Sequence, residues 1–248
     1  MNITIQEQNC VERTGRECSK NSLTAKSGFK AEEIFRTDES IKSNLEKYFK
    51  KKIISLNKIH GKKYDTRIYF EDGSTVNIQN KKIENLGGRG DSFDRRHIKD
   101  TFKNPDIRRY LTLLTLIRKK KNETSMTEGQ KVDFMKLCSN NSDDIINYIK
   151  KTLIGQGTEA NEYWCIMKTN KTFTDMELYI ISSNKIFQFI ERTIKIDIKL
   201  KKNGTCLHLS PHIALQRKGG DKTDHSPNHI QAKLKFTQEI IYLCDKLL

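Results

Sequence analysis

A short alternating segment, KKYDTRIYFEDGSTVNIQNKK at residues 62–82, constrains the fold of this chain more than any other feature. Apolar and β-branched side chains recur at every second position from 66 to 70, and the same period resumes from 75 to 79. Between the two runs stands Asp72-Gly73, a dipeptide typical of tight turns. The segment therefore predicts a β-hairpin at residues 64–83, in which the first strand's beginning lies beside the second strand's end.

The predicted hairpin brings Asp65 next to the tripeptide Gln79-Asn80-Lys81. In the hairpin nuclease design, metal-dependent cleavage of a phosphodiester uses an acidic metal ligand, a second ligand one strand over, and a lysine two residues beyond it. Asp65, Gln79 and Lys81 have this spacing, with an amide where a carboxylate is usual. The carbonyl oxygen of Gln79 can bind a hard cation without adding negative charge, and the backbone carbonyl of Asn80 offers a further oxygen.

This spacing has a second interpretation, because a solvated hairpin in a lysine-rich chain shows the same pattern. Glu32 and Glu33 lie upstream, in a segment with helical periodicity. Glu32 is a candidate supplementary carboxylate at the metal, and the alternative is that both residues are ordinary exposed helix acids.

The charge of the chain favours a polyanionic partner. Lys and Arg number 46 against 31 Asp and Glu, a formal net charge of +15, and the basic residues are spread along the sequence. Nucleic acid is the commonest partner of such a surface, because neutralised phosphates release their condensed counterions. The alternative is a lysine-rich composition without a nucleic-acid partner.

The six cysteines have no CxxC spacing, and no stretch resembles a secretory signal or approaches the ~20 apolar residues of a membrane span. We therefore expect a reducing, cytoplasmic setting, no membrane contact and no structural zinc site.

The chain is predicted to be mixed α/β. A polar N-terminal arm at 1–21 precedes a single domain at 22–248, whose first helix starts at a cap formed by Ser22 or Thr24. Further helices are predicted through FDRRHIKDTF at 93–102 and within 105–155, and strands in WCIMKT, MELYIIS and TIKIDIKLKK. The region 205–236 is expected to recognise DNA.

Two segments carry side chains suited to base edges and phosphates. Gln and Arg can pair with adenine and guanine edges, Asp can accept from the cytosine amino group, and glycines allow close approach of backbone to a groove. The candidate DNA contacts are Arg89, Asp91, Arg95, Arg96 and His97 in the first segment, and Gln216, Arg217, Lys218 and Asp221 in the second. The alternative for both segments is a surface turn with solvated charges.

Three stretches in this order resemble the GCGC-cutting type II restriction endonucleases of the HinP-one-I type. They are SLTAKSGFKAEEIF at 22–35, the hairpin with Asp65 and Gln79-Asn80-Lys81, and IALQRKGGD at 213–221 followed by QAKLKF. TAK-x-GFK and QRKGGD are specific to this resemblance, which extends along nearly the whole chain. Residues 105–205 match only in their general helical and strand character.

The resemblance implies a PD-(D/E)xK restriction-endonuclease-like fold, with a central mixed β-sheet flanked by helices, and Mg²⁺-dependent cleavage of double-stranded DNA. By motif, Asp65 is the metal ligand, Gln79 the amide at the carboxylate position, Lys81 the catalytic lysine and Glu32 the helical acid. A restriction endonuclease is paired with a cognate DNA methyltransferase, and we expect a monomer or weak homodimer.

Two departures from the family pattern affect these expectations. The hairpin between Asp65 and Gln79 is shorter here, and the loop at 87–97 differs strongly, which leaves the recognised sequence open. The alternative function is a DNA- or RNA-binding protein without catalytic activity.

Overall fold

The computed structural model describes residues 20–88, 90–114, 126–157, 160–201, 204–218 and 229–248. The described residues fall into two compact units, one within residues 20–84, 163–180 and 245–248 and the other within residues 85–162 and 181–244. Most of the predicted arm at 1–21 lies outside the described residues, and the single-domain assignment for 22–248 stays a prediction. No helix within the described ranges is long and apolar enough to cross a membrane.

The first unit begins with two helices, α1 (Lys20–Thr37) and α2 (Glu39–Phe49). Asp38 separates them and caps α2, because its carboxylate accepts hydrogen bonds from the backbone N–H groups of Ser40 and Ile41. Lys50 ends α2 in the left-handed conformation, at φ 53°. Helix α1 already contains Ser22 and Thr24, so the prediction that one of them caps it was wrong.

A mixed sheet of six strands forms the rest of this unit. Its strands are β1 (Ile53–Lys58), β2 (Thr66–Phe70), β3 (Thr75–Ile83), β5 (Tyr163–Thr169), β6 (Met176–Ser182) and β11 (Asp245–Lys246). They lie in the order β1-β2-β3-β5-β6-β11, with β1, β2 and β3 antiparallel and β3 parallel to β5. Helix α1 packs on β1 and β3. The expected mixed sheet flanked by helices is therefore present.

The hairpin of β2 and β3 matches the prediction. Thr66 lies opposite Ile78 and Tyr69 opposite Thr75, and the turn contains Gly73 at φ +79°. Asp72 stabilises this turn by accepting a hydrogen bond from the backbone N–H of Ser74 at 3.0 Å. Ile68 and Ile78 are fully buried in the core of the unit, which holds the two strands in register.

The second unit contains an antiparallel sheet of five strands in the order β4-β10-β9-β8-β7. These strands are β4 (Asp91–His97), β7 (Asp197–Lys201), β8 (Gly204–His208), β9 (Ile213–Lys218) and β10 (His229–Leu234). The helix predicted at 93–102 was wrong, since this segment forms β4 followed by a 3-10 turn at Ile98–Asp100. Six residues of β4 find partners on β10, more than 130 positions away in the chain.

Helices cover this sheet in the second unit. They are α3 (Pro105–Leu111), α4 (Glu128–Asn140), α5 (Ser142–Leu153), α6 (Ser183–Arg192) and α7 (Gln238–Tyr242). Asn104 caps α3 and Thr127 forms a capping box with Gln130 at the start of α4. Helix α5 packs on β4 and α4 packs on β7. The helical segment predicted within 105–155 is confirmed by α3, α4 and α5, and the strands predicted in WCIMKT, MELYIIS and TIKIDIKLKK by β5, β6 and β7.

Candidate active site

Asp65 lies at the point where the hairpin strands meet. Its backbone N–H donates to the carbonyl oxygen of Ile78 at 3.0 Å, which fixes the residue just before β2. Its carboxylate oxygen Oδ2 accepts hydrogen bonds from the side-chain amide of Gln79 and, at 3.0 Å, from the backbone N–H of Asn80. The two ends of the hairpin therefore meet at one carboxylate, as the sequence predicted.

Two neighbouring amide residues of β3, Gln79 and Asn80, are almost completely buried. Gln79 is 6% exposed and Asn80 is 8% exposed. The amide nitrogen of Asn80 donates to the hydroxyl of Thr66 at 2.8 Å. Its oxygen Oδ1 is buried and has no hydrogen-bond partner among the described residues. Because side chains alternate along β3, the Asn80 side chain lies on the face opposite Asp65 and Gln79, and only its backbone faces the Asp65 carboxylate.

Glu32 lies on α1, where it is half-buried, and the neighbouring Glu33 is exposed. Burial raises the pKa of the Glu32 carboxyl, and the negative charge of Asp65 raises it further. Burial also raises the pKa of Asp65, against the opposing effect of the Lys81 charge. Glu32 and Asp65 line one cleft, so the structure places these two carboxyls near each other.

The two consecutive lysines of β3 have different environments. Side chains alternate along a strand, so Lys81 shares a face with Gln79 and Lys82 lies on the other face. The Lys82 ammonium donates to the hydroxyl of Ser27 at 2.8 Å and to the carboxylate of Glu84 at 3.0 Å. Its role is structural. The charge of Lys81 instead lowers the pKa of both site carboxyls.

The site also contains residues that the sequence did not single out. Arg36 lies one helical turn after Glu32, and its Nη1 is 4.0 Å from Glu32 Oε2. The i, i+4 spacing of Glu32 and Arg36 on a predicted helix is the signal that could have indicated this pair. A cleft of about 350 Å³ opens beside the two acids. Its lining residues are Phe29, Glu32, Lys58, Ile59, His60, Gly61, Lys62, Tyr64 and Asp65.

The donor chemistry of the site suits a hard divalent cation. Carboxylate, amide and carbonyl oxygens are the ligands that a hard cation accepts, and the site offers two carboxylates, the side-chain amide of Gln79 and the backbone carbonyl of Asn80. The described part of the chain contains no group of three or more His, Cys, Asp or Glu residues arranged to hold a metal. A metal bound at Asp65 would therefore depend on neutral ligands, including the Gln79 side-chain amide and the Asn80 backbone carbonyl.

The candidate DNA contacts of the second unit fall on two faces of its sheet. The strand register places Arg95 opposite Gln231, and Gln231 opposite Gln216. Directly opposed residues point to the same face, so Arg95 and Gln216 lie on one face, and His97 lies there too. Arg95 is exposed, whereas Gln216 and His97 are half-buried.

Arg96 and Arg217 point to the opposite face, where each binds protein groups. Arg96 forms an ion pair with Asp94, with 2.6 Å between Nε and Oδ2. The Arg217 guanidinium donates to the carbonyl oxygen of Thr112, after the end of α3, and to that of Leu114 at 3.4 Å. The structure thus separates these two arginines from Arg95, His97 and Gln216.

The remaining candidates are less completely described. Asp91 begins β4 opposite Leu234. Lys218 ends β9 opposite His229, and its side chain is outside the described residues. Arg89 and Asp221 also lie outside the described residues. The DNA-contacting roles of all these residues stay predictions.

No protein-family model matches the chain, and no curated protein matches it. The chain is similar to a solved restriction endonuclease. This structure is the restriction endonuclease MspI in complex with its cognate DNA, and the similarity covers 93% of this chain and 99% of that chain. The sequence identity is 12% and the TM-score is 0.48. A similarity at this level does not identify the fold family or the function of the chain. Both have to be inferred from its own residues.

Proposed function

We propose that this protein is a Mg²⁺-dependent, site-specific deoxyribonuclease of the type II restriction class. The observation that carries the proposal is the hairpin geometry that joins Asp65 to Gln79 and Asn80, with Glu32 in the cleft beside Asp65. Asp65 and Gln79 are hydrogen-bonded, and the charges of Asp65 and Lys81 both act on the Glu32 carboxyl. A metal-dependent hairpin nuclease uses an acidic ligand, a second ligand on the next strand and a lysine, and this chain has that spacing with an amide in place of the second carboxylate.

In this proposal Asp65, Gln79 and Asn80 hold the metal, and Glu32 adds a second negative charge. When bound, Mg²⁺ supplies Lewis-acid activation of the scissile phosphate and of a water molecule. Lys81 places its ammonium where it positions that water or offsets the charge that develops on the phosphate. Asp65 is held by the backbone N–H of Asn80, so its carboxylate is oriented before any ligand arrives.

The finer parts of the proposal come from the resemblance to the HinP-one-I type. They are a PD-(D/E)xK fold, cleavage at a short palindromic site such as GCGC, and a cytoplasmic restriction system with a cognate DNA methyltransferase. The net charge of +15 supports a double-stranded DNA partner. The oligomeric state in the proposal is a monomer or weak homodimer.

Plasmid digestion tests the proposed function. Purified protein is incubated with supercoiled plasmid in Mg²⁺ and in EDTA, beside the variants Lys81→Ala and Lys47→Ala. Lys47 is an exposed residue of α2, so its replacement removes the same charge away from the site. We expect a discrete fragment pattern in Mg²⁺ for the wild type and Lys47→Ala only. Intact plasmid under every condition contradicts the proposal, and sequencing the fragment ends gives the site and stagger.

A DNA- or RNA-binding protein without catalysis is the second candidate. It is favoured by the hydrogen bond from the Gln79 amide to Asp65, which satisfies the carboxylate without a cation. This candidate predicts tight, salt-sensitive retention of nucleic acid that Mg²⁺ does not change, and no cleavage.

A further inference from the structure

The five-stranded sheet carries a row of polar side chains across its strands. Arg95 of β4, Gln231 of β10, Gln216 of β9 and Cys206 of β8 are directly opposed in the antiparallel register. Directly opposed residues have Cβ atoms about 4.5–5.5 Å apart on one face. The row is therefore fixed by backbone pairing and does not depend on the conformation of a loop.

The two faces of β10 differ sharply in character. Ile230, Ala232 and Leu234 are fully buried on one face. Gln231 and its neighbours in alternation, His229 and Lys233, are half-buried on the other. A half-exposed polar face on a sheet whose other face is packed presents side chains to a partner.

Gln231 lies in the centre of the row and has an unsatisfied acceptor. Its oxygen Oε1 is buried and has no hydrogen-bond partner among the described residues. Its neighbour Gln216 is oriented, because the Gln216 amide nitrogen donates to the sulfur of Cys206 at 3.3 Å. An acceptor that is unsatisfied in the free protein gains most when a ligand supplies a donor.

His97, two residues after Arg95 on β4, also has a side-chain polar atom on this face without a partner among the residues that the structure describes. It lies opposite His229, their ring centroids are 4.7 Å apart, and His97 Nδ1 is buried with no hydrogen-bond partner in the described part of the chain. Two neighbouring polar groups on the same face are thus both short of a partner.

We infer that this polar face contacts the base edges of double-stranded DNA, and that Gln231 is a specificity-determining residue. The inference rests on the proposed function for the class of ligand. A glutamine amide can donate and accept in a bidentate pair with an adenine edge, and arginine does the same with guanine. Exposed Arg95 beside Gln231 provides the charge that draws the duplex to this face. Strands that bind in a DNA groove are an established mode of base recognition.

A selection for bound sequences tests this inference without requiring cleavage. Duplexes with a randomised central segment are incubated with protein in Ca²⁺ in place of Mg²⁺, bound DNA is recovered from a native gel, and the recovered molecules are sequenced. The proteins compared are the wild type, Gln231→Ala, Gln231→Glu and Gln188→Ala. Gln188 is an exposed glutamine of α6 in the same unit, so it is the matched control.

The expected result is a motif for the wild type and for Gln188→Ala, with discrimination at one position reduced about tenfold or more in Gln231→Ala. Gln231→Glu should change the preferred base at that position towards cytosine, because a carboxylate accepts from the cytosine amino group. A purely structural role for Gln231 would not change a base preference. Thermal melting of each variant shows that it is folded, and Gln231→Glu keeps the side-chain size should Gln231→Ala not fold.

The inference is overturned if all four proteins select the same motif, or if the wild type selects none. Failure of the proposed function has a different signature, in which a motif is selected and bound but is not cut when Mg²⁺ is added.

Discussion

The Asp65 carboxylate accepts a hydrogen bond from the backbone N–H of Asn80, with 3.0 Å between Oδ2 and the nitrogen. The two residues are 15 positions apart, and the β2–β3 hairpin brings them together. Because this donor is a backbone group in a paired strand, the position of the carboxylate is set by the sheet. Mutation of the surrounding side chains should alter the chemistry of the site more than its geometry.

Asp65→Asn should stabilise the protein in the absence of metal. Burial raises the pKa of Asp65 in the folded state, so the ionised carboxylate opposes folding: the stability from this group is fully present below the unfolded pKa of about 3.9 and is lost as pH rises through the higher folded pKa. The asparagine oxygen can still accept both hydrogen bonds. At pH 7 in EDTA we expect a higher melting temperature for Asp65→Asn, whereas Mg²⁺ should raise the melting temperature of the wild type only. Equal melting temperatures in EDTA would contradict the effect of burial.

Gln79→Glu should tighten Mg²⁺ binding in the absence of DNA. The substitution places a third carboxylate beside Asp65 and Glu32, and a higher ligand charge raises the affinity for a hard cation. Titration calorimetry of the wild type, Gln79→Glu and the control Gln188→Glu measures this directly. We expect a lower Kd for Gln79→Glu alone, and an unchanged value would show that residue 79 does not reach the metal.

The stability of the protein should depend on His212 below neutral pH. His212 is 4% exposed, and burial lowers its pKa, although the Glu239 carboxylate, 3.6 Å away, opposes this effect. The unfolded chain takes up the proton at about pH 6.5, so the free energy of unfolding falls as pH drops below that value.

The difference in unfolding free energy between the wild type and His212→Asn isolates this effect, because other groups titrate in both proteins. We expect urea unfolding of His212→Asn to show a smaller loss of stability between pH 7.5 and pH 5. Parallel pH profiles would rule out a buried neutral His212.

Replacement of Arg217 should reduce protein stability, whereas replacement of Arg95 should reduce DNA binding. Arg217 donates to the carbonyl oxygens of Thr112 and Leu114, so Arg217→Ala should lower the free energy of unfolding by about 1.5–3 kcal/mol. Because Arg95 is exposed, Arg95→Ala should change the free energy of unfolding by no more than about 0.5 kcal/mol. The same substitution should weaken DNA binding and reduce the slope of log affinity against log salt concentration by about one. Thermal melting measures the effect on stability, and binding at several salt concentrations measures the effect on DNA affinity. Loss of stability in Arg95→Ala, with weaker DNA binding only in Arg217→Ala, would contradict the prediction.

The sequence predicted the β-hairpin of the candidate site, because the pattern that specifies it lies within one short segment. The period of two from 66 to 79 and the Asp72-Gly73 turn specified the hairpin, and the hairpin alone brings Asp65 to Gln79. The residues of α2 were likewise visible, because Ile41 and Leu45 recur at helical spacing and are fully buried.

Non-local pairing explains what the sequence did not reveal. The sequence of residues 93–102 predicts a helix, but residues 91–97 form β4 because they pair with β10. The separation of Arg96 from Arg95 follows from that strand, since a helix would not send consecutive residues to opposite faces. The position of Gln231 between Arg95 and Gln216 depends on three strands distant in sequence. No pattern within one segment could indicate it.

The single-turnover cleavage rate in Mg²⁺, on a duplex that carries the mapped site, tests the central claim most directly. It is compared for the wild type, Asp65→Asn, Lys81→Ala and Lys47→Ala at saturating protein. The account predicts that Asp65→Asn and Lys81→Ala are slower by about 10²–10³-fold or more while they still bind the duplex, and that Lys47→Ala matches the wild type. Rates within a few-fold of the wild type for Asp65→Asn and Lys81→Ala would contradict it.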